Sequence, residues 1–183
     1  MTEAKEQEKP QEKWLKGVVI TTTCLAVMTA IAAARGAACG AKTQLLTATE
    51  SSKWAYYQAK SIKQNLEEAQ KNTFEAASLV AATAEQKAVY DGRLKLINSE
   101  ISRYEGEKNQ IKAEAEDAAA KNAQIAKKGN FFSGSVVFFQ IGIMLTSVSA
   151  LLKRKAMWLF GLVFGIVAAV LLGYGLFTLP LMF

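Results

Sequence analysis

Apolar residues in this chain come in long blocks as well as in periodic stripes. No Asp, Glu, Lys or Arg occurs from Gly17 to Ala34, from Gly129 to Leu152 or from Ala156 to Phe183, whereas the stretch between the first two blocks is rich in charge. A helix rising about 1.5 Å per residue needs roughly 20 apolar residues to cross a hydrocarbon layer of about 30 Å. The first block, 18 residues long, reaches that length when Trp14 stands at headgroup level, and the other two exceed it. The pattern predicts transmembrane helices at 14–35, 131–152 and 156–179. A polar tail (1–13), a basic loop (153–155) and a short C-terminal end (180–183) complete these segments.

Between the first two spans, residues 36–130 carry a different signal. Pro10 and Pro180 are the two prolines, so the strongest helix breaker is missing from everything between. From Leu45 a 3,4 alternation runs through Ala48, Ser52, Ala55, Ala59, Ile62, Leu66, Ala69, Thr73, Ala76 and Val80, the seam spacing of a coiled coil. A second seam reads Tyr90, Leu94, Ile97, Ile101, Tyr104, Lys108, Ile111, Ala115, Ala118, Asn122 and Ile125. Legs that leave and re-enter one membrane surface should be nearly equal, which puts the tip near residue 83. Thr83 to Gln86 matches a capping box there. Folding at that point sets Ala76 against Tyr90, Ala69 against Ile97, Ala55 against Ile111 and Ala48 against Ala118, with Lys108 opposite Ala59. Lys108 then either snorkels to a neighbouring carboxylate or marks where a partner helix intrudes.

Small residues mark the packing faces of helices in lipid, where no hydrophobic push operates between them. Gly161, Gly165, Ala169 and Gly173 recur every four residues in the third span. Thr22, Ala26, Ala30 and Ala34 do so in the first, and Gly142, Thr146 and Ala150 in the second. These faces suit an intramolecular bundle and an oligomer alike. Gln140 reads as glue between helices or as pore lining.

Charge changes this picture little. The net charge of +6 does not form a nucleic-acid-binding stripe: residues 36–130 hold 14 Lys or Arg against 12 Asp or Glu, well mixed. The excess flanks the apolar blocks, where cationic side chains snorkel. Lys13 and Lys16 before an apolar run, with Ala32, Ala33 and Ala34 after it, have the outline of a secretory signal. The run is longer than a signal core, so an uncleaved anchor is expected. The short loop Lys153, Arg154, Lys155 is placed in the cytoplasm by the positive-inside rule. The N-terminus, with Lys5, Lys9, Lys13 and Lys16, is then cytoplasmic and the hairpin extracytoplasmic. Cys24 and Cys39 would lie about 22 Å apart on one helix, beyond the roughly 7 Å a disulfide allows.

Candidate chemistry is sparse. With no histidine and two separated cysteines, the common zinc sites are closed off. The carboxylates sit at helical-surface spacing, and the glycines form no phosphate loop or dinucleotide fingerprint. No catalytic, cofactor-binding or metal site is expected. One cluster stands out, from Trp54 through Tyr56, Tyr57 and Lys60 to Ser61. Trp54 and Tyr57 share a helix face. On a straight helix Trp54 sits about 30 Å beyond the membrane boundary, too far for the aromatic belt. It packs against the other leg or a sister protomer, or it forms a site for a dedicated partner.

The same stretch, WAYYQAKSIK from Trp54 to Lys63, with an Ala-rich span before it and two spans after the hairpin, resembles the bacterial family known as domain of unknown function 4337. Lys53 stands where the resemblance leads one to expect Gln. The resemblance implies a bacterial inner-membrane protein with no assigned activity, so no catalytic residue is carried over. The whole reading is an all-α integral membrane protein with three transmembrane helices and a long antiparallel coiled-coil hairpin between the first and second. It is expected to be a non-enzymatic scaffold or interaction protein in contact with membrane lipid, assembling as a homo-oligomer, with a protein partner at the hairpin and no nucleic acid. The alternative is a channel or energising subunit, since one long loop followed by two closely joined spans is also the plan of proton motors of the ExbB and TolQ type.

Overall fold

A computed structural model describes residues 10–177, with side chains from Trp14 onward. The ends of the chain, with Lys5, Lys9 and Pro180, lie outside the described residues. Three helices account for nearly all of it: α1 (Pro10–Leu79), α2 (Ala84–Leu152) and α3 (Lys155–Phe177), and the described residues contain no strand. Each of the three is long and apolar enough to cross a membrane.

The first two helices run without a break from apolar into charged sequence, 70 and 69 residues long. Gly36, Gly40, Gly129 and Gly134 all lie inside them. An interior glycine costs a helix about 1 kcal/mol against alanine, where proline costs about 3. The helices break where the local chemistry says they should. Residues 80–83 form the first turn, and Thr83 Oγ1 accepts from the Gln86 amide at 3.2 Å, capping α2. Gln86 also reaches back, but its Oε1 takes the Ala82 amide at 3.2 Å, one residue earlier than a capping box requires. The second turn is a Schellman closure: the Arg154 amide donates to the Ser149 carbonyl at 3.3 Å while Lys153 takes φ 51°, the left-handed conformation of a residue just past a helix end. The basic triplet Lys153, Arg154, Lys155 is exposed there.

The described residues divide into two compact units, one formed by residues 10–43 with 124–177 and one by 44–123. In the first, α3 packs on the apolar ends of α1 and α2 around Leu25, Ala32, Phe132, Phe139, Ala168 and Leu172. The hydroxyls in this apolar setting are satisfied locally. Thr146 Oγ1 returns to the Gly142 or Ile143 carbonyl at 3.0 or 2.9 Å and accepts from Thr22 Oγ1 at 3.0 Å. Buried Ser135 and Ser149 bond back to Phe132 and Thr146. The Trp158 indole reaches across to Thr21 Oγ1 at 3.1 Å.

Small residues bring α2 and α3 together, though not all of those expected. A Cβ on Gly161 would lie 3.0 Å from the Gly142 carbonyl oxygen, and one on Gly142 would lie 3.1 Å from that of Gly161. Gly161, Gly165 and Gly142 are buried, but Ala169 is exposed and the face continues through Ala168, Leu172 and Gly175. Gly173 has open space where a Cβ would stand. In α1, Ala26, Ala30 and Ala34 are exposed, and Val18, Leu25 and Ala32 face inward instead. The cause is geometric. With 3.6 residues per turn, each four-residue step overshoots by about 40°, so a strict four-residue repeat drifts off the contact line while a 3,4 alternation holds it. Gln140 lies on the exposed face of α2, about 200° from Gly142, so it does not glue these three helices together.

In the second unit the two legs pair Thr47 with Asn122, Lys53 with Glu114, Lys60 with Glu107, Phe74 with Tyr90 and Ser78 with Asp91. From Thr47 to Phe74 the α1-leg number rises while its partner falls from 122 to 90, so the legs run antiparallel over that stretch, and Ser78 meets Asp91 beside the turn. The expected face of the α2 leg is the one turned inward: Ile97, Ile111, Ala115 and Ala118 are buried, and Tyr90, Leu94, Ile101, Tyr104, Lys108 and Asn122 are half-buried. The α1 leg corrects the expectation. Its residues from Leu45 through Ala48, Ala55, Ile62, Leu66, Ala69 and Ala76 to Val80 are all exposed. The half-buried row is instead Leu46, Glu50, Lys53, Tyr57, Lys60, Gln64, Glu67, Lys71, Phe74 and Ser78. The second row is offset from the first by one and two residues alternately, a mean rotation of about 150°, so the two rows lie on nearly opposite faces. Against a leg whose inner face is partly alanine, the large rings of Tyr57 and Phe74 and the stems of Lys53 and Lys60 fill space that the alanine row would leave empty. Their ammonium groups also find carboxylates.

Candidate functional site

The aromatic and cationic residues singled out in the sequence come together on the paired legs. Trp54 and Tyr57 are half-buried and meet edge to face, with centroids 5.7 Å apart at 71°, a favoured geometry for aromatic pairs. Lys108 extends its ammonium over the Tyr57 ring, 5.2 Å from the centroid, and donates to Gln64 Oε1 at 3.1 Å. It therefore contacts an amide and a ring, where a carboxylate was one expectation. Tyr56, about half exposed, covers the Lys60 ammonium at 5.3 Å from one side and Tyr104 covers it at 5.4 Å from another. Lys60 pairs with Glu107 at 2.5 Å. Such contacts draw the cation to the negative face of the ring.

Tyr104, Glu107, Glu114, Gln64 and Arg103 complete the cluster without having been singled out as site residues. Arg103 sits over Tyr104 at 5.0 Å and pairs with Glu100. A signal for two of them was present in the sequence. Lys53 and Lys60 are seven residues apart, Glu107 and Glu114 are seven apart, and the two pairs are mirror images about the step from Thr83 to Ala84. Antiparallel legs folded at that step must place the lysines beside the carboxylates. Lys53, where the family resemblance led one to expect Gln, makes the ion pair with Glu114 at 2.5 Å.

These contacts tune the groups that make them. The ion pair with Glu107 raises the Lys60 ammonium above its ordinary value, against a smaller opposing effect of desolvation. Glu107 is lowered in turn by Lys60, and Glu114 by Lys53 and then Gln110. A carboxylate with a lowered folded value contributes stability above its unfolded value and loses it as pH falls through the folded one. A raised lysine contributes below its unfolded value and loses it as pH climbs through the folded one. The leg pairing is therefore expected to be firmest across the neutral range, to loosen in acid below the ordinary carboxylate range, and to loosen again in strong base. The thermal midpoint of leg unfolding, followed by circular dichroism of the full chain in detergent, reads this out. In a Lys53→Met, Lys60→Met variant the acid-side fall should flatten.

The described residues hold no group of His, Cys, Asp and Glu able to bind a metal ion. Through its ion pairs and ring contacts the cluster joins the two legs, and it leaves Tyr56 at the surface.

Fold and site together define an all-helical protein with three helices fit to cross a membrane and a charge-matched pair of helical legs between the first and second. Residues 14–178 match the family model described as Domain of unknown function (DUF4337), and the chain belongs to that family. No curated protein and no solved structure matches it.

Proposed function

We propose that this protein is a non-enzymatic membrane scaffold of the bacterial inner membrane, whose legs form an antiparallel coiled-coil hairpin that serves as its interaction element, and which assembles as a homo-oligomer. The carrying observation is that α1 and α2 each join an apolar, membrane-length segment to a charged leg in one unbroken helix. A helix continued in this way couples a bilayer anchor to a surface that other proteins reach. The cluster around Trp54, Tyr57 and Lys60 supports the same reading, because it spends aromatic and charged groups on joining two helices. Membrane lipid covers the outer faces of the spans. The basic triplet at Lys153 to Lys155 favours a cytoplasmic N-terminus and an extracytoplasmic hairpin.

The test combines topology with mass. Reporters fused at the 80–83 turn should be active only when the fused enzyme works outside the cytoplasm. The detergent-corrected mass of the purified protein should be a multiple of the 19.9 kDa chain. A cytoplasmic reporter signal would overturn the proposed orientation and favour the proton-motor plan, and a monomeric mass in mild detergent would overturn the assembly.

A further inference from the structure

The exposed row on the α1 leg is the largest feature that the leg pairing does not use. It runs from Leu45 (68% exposed) through Ile62 (69%) and Leu66 (58%) to Val80 (80%), with alanines such as Ala55 and Ala69 between. A 3,4 alternation over five heptads, apolar except at Ser52 and Thr73, has the spacing of a coiled-coil seam. The row is about 53 Å long at 1.5 Å per residue, and at a helix width of about 10 Å its area approaches 500 Å². Apolar patches of that size mark interaction surfaces. Two such faces together come near the roughly 1,000 Å² that a specific interface requires.

We propose that a second copy of this chain docks on this row, α1 leg against α1 leg, with the two helices parallel and in register. The inference rests on the proposed membrane-scaffold reading, because copies inserted in one membrane with one topology carry α1 in the same direction. Its independent support is the charge pattern. In a parallel pair of identical helices each seam residue meets its own copy and each flank residue meets the other flank five residues along, so a charged seam meets like charge and a charged flank needs a complementary partner. Seven of the eight charged residues between Gln44 and Val80 lie off the seam and its flanks, and Lys63 is the exception. One flank repeats every seventh residue as Gln44, Ser51, Gln58, Asn65 and Asn72. Amides and hydroxyls both donate and accept, so this flank is compatible with the Thr49, Tyr56, Lys63 and Gln70 that a parallel partner sets beside it, Gln58 meeting Lys63. The inward face shows the contrasting design. Lys53 and Lys60 there need carboxylates from a different sequence, which the α2 leg supplies.

Single cysteines in a Cys24→Ser, Cys39→Ala background test this in native membranes under mild oxidation. Ala55→Cys and Ala69→Cys should each give disulfide-linked dimers, while Asn98→Cys, exposed on the α2 leg, should not. In the full-length protein, Ile62→Lys with Leu66→Lys should abolish the oligomer and leave the helix content unchanged, since both side chains are exposed within the chain. An oligomeric mass with dimers at 98 and none at 55 or 69 overturns this face and leaves self-assembly standing. Retention of the oligomer by the double lysine variant overturns the face as well. A monomeric mass for the parent protein overturns both the face and the assembly it rests on.

Discussion

Gly161→Val should cost the three-helix unit about 3 kcal/mol, the upper part of the range for overpacking a close contact. A Cβ at Gly161 would stand 2.6 Å from Thr146 Cγ2 and 3.0 Å from the Gly142 carbonyl oxygen. The second of these is backbone and cannot swing aside, so α2 and α3 must separate. At Gly165 the nearest obstruction is Leu25 Cδ2 at 2.7 Å, the end of a flexible side chain, so Gly165→Ala is expected to cost less. Gly173→Ala meets nothing within 4 Å and should stabilise the helix by up to about 1 kcal/mol through propensity alone. A denaturant titration in detergent, followed through Trp158 fluorescence, orders the three. A Gly161→Val variant as stable as the parent would contradict the close approach of α2 to α3.

Phe139→Ala should rank next, at about 2 kcal/mol. Its side chain is 1% exposed at the centre of the apolar cluster, and such a truncation costs about 3–5 kcal/mol in a soluble core. Part of that cost is transfer from water. A helix unfolded within a bilayer never meets water, so the cavity and the lost contacts remain as the penalty. Val137→Ala, on the exposed face of the same helix, should be neutral in the same titration.

The two substitutions also separate what was legible from what was not. Gly142, Gly161 and Gly165 can be recognised in the sequence as a close-packing face because glycine in an apolar helix has few other uses. Ala26, Ala30 and Ala169 share the composition of that face but not its rotation, since a four-residue spacing drifts around the helix while Ala32 and Ala168 keep the contact line. In the cluster, Trp54, Tyr56, Tyr57 and Lys60 are visible as an unusual run. Glu107 becomes visible only once the fold point is known, because its role depends on a distance across the turn and not on its neighbours.

Membrane-length apolar helices, the turn at 80–83 and the inward face of the α2 leg follow from the sequence by itself. Each rests on a signal confined to one stretch of chain: an uncharged run, a capping threonine, or a 3,4 repeat with large side chains. The α1 leg carries two such repeats about 150° apart, one largely apolar and one mixed. Periodicity alone assigns the apolar row to the intramolecular seam. Tertiary structure reverses that assignment, because Tyr57 and Phe74 fill the space beside the other leg and Lys53 and Lys60 meet Glu114 and Glu107 there. Which face of a helix is buried depends on the shape and charge of what lies opposite, and a single stretch of sequence does not contain its partner.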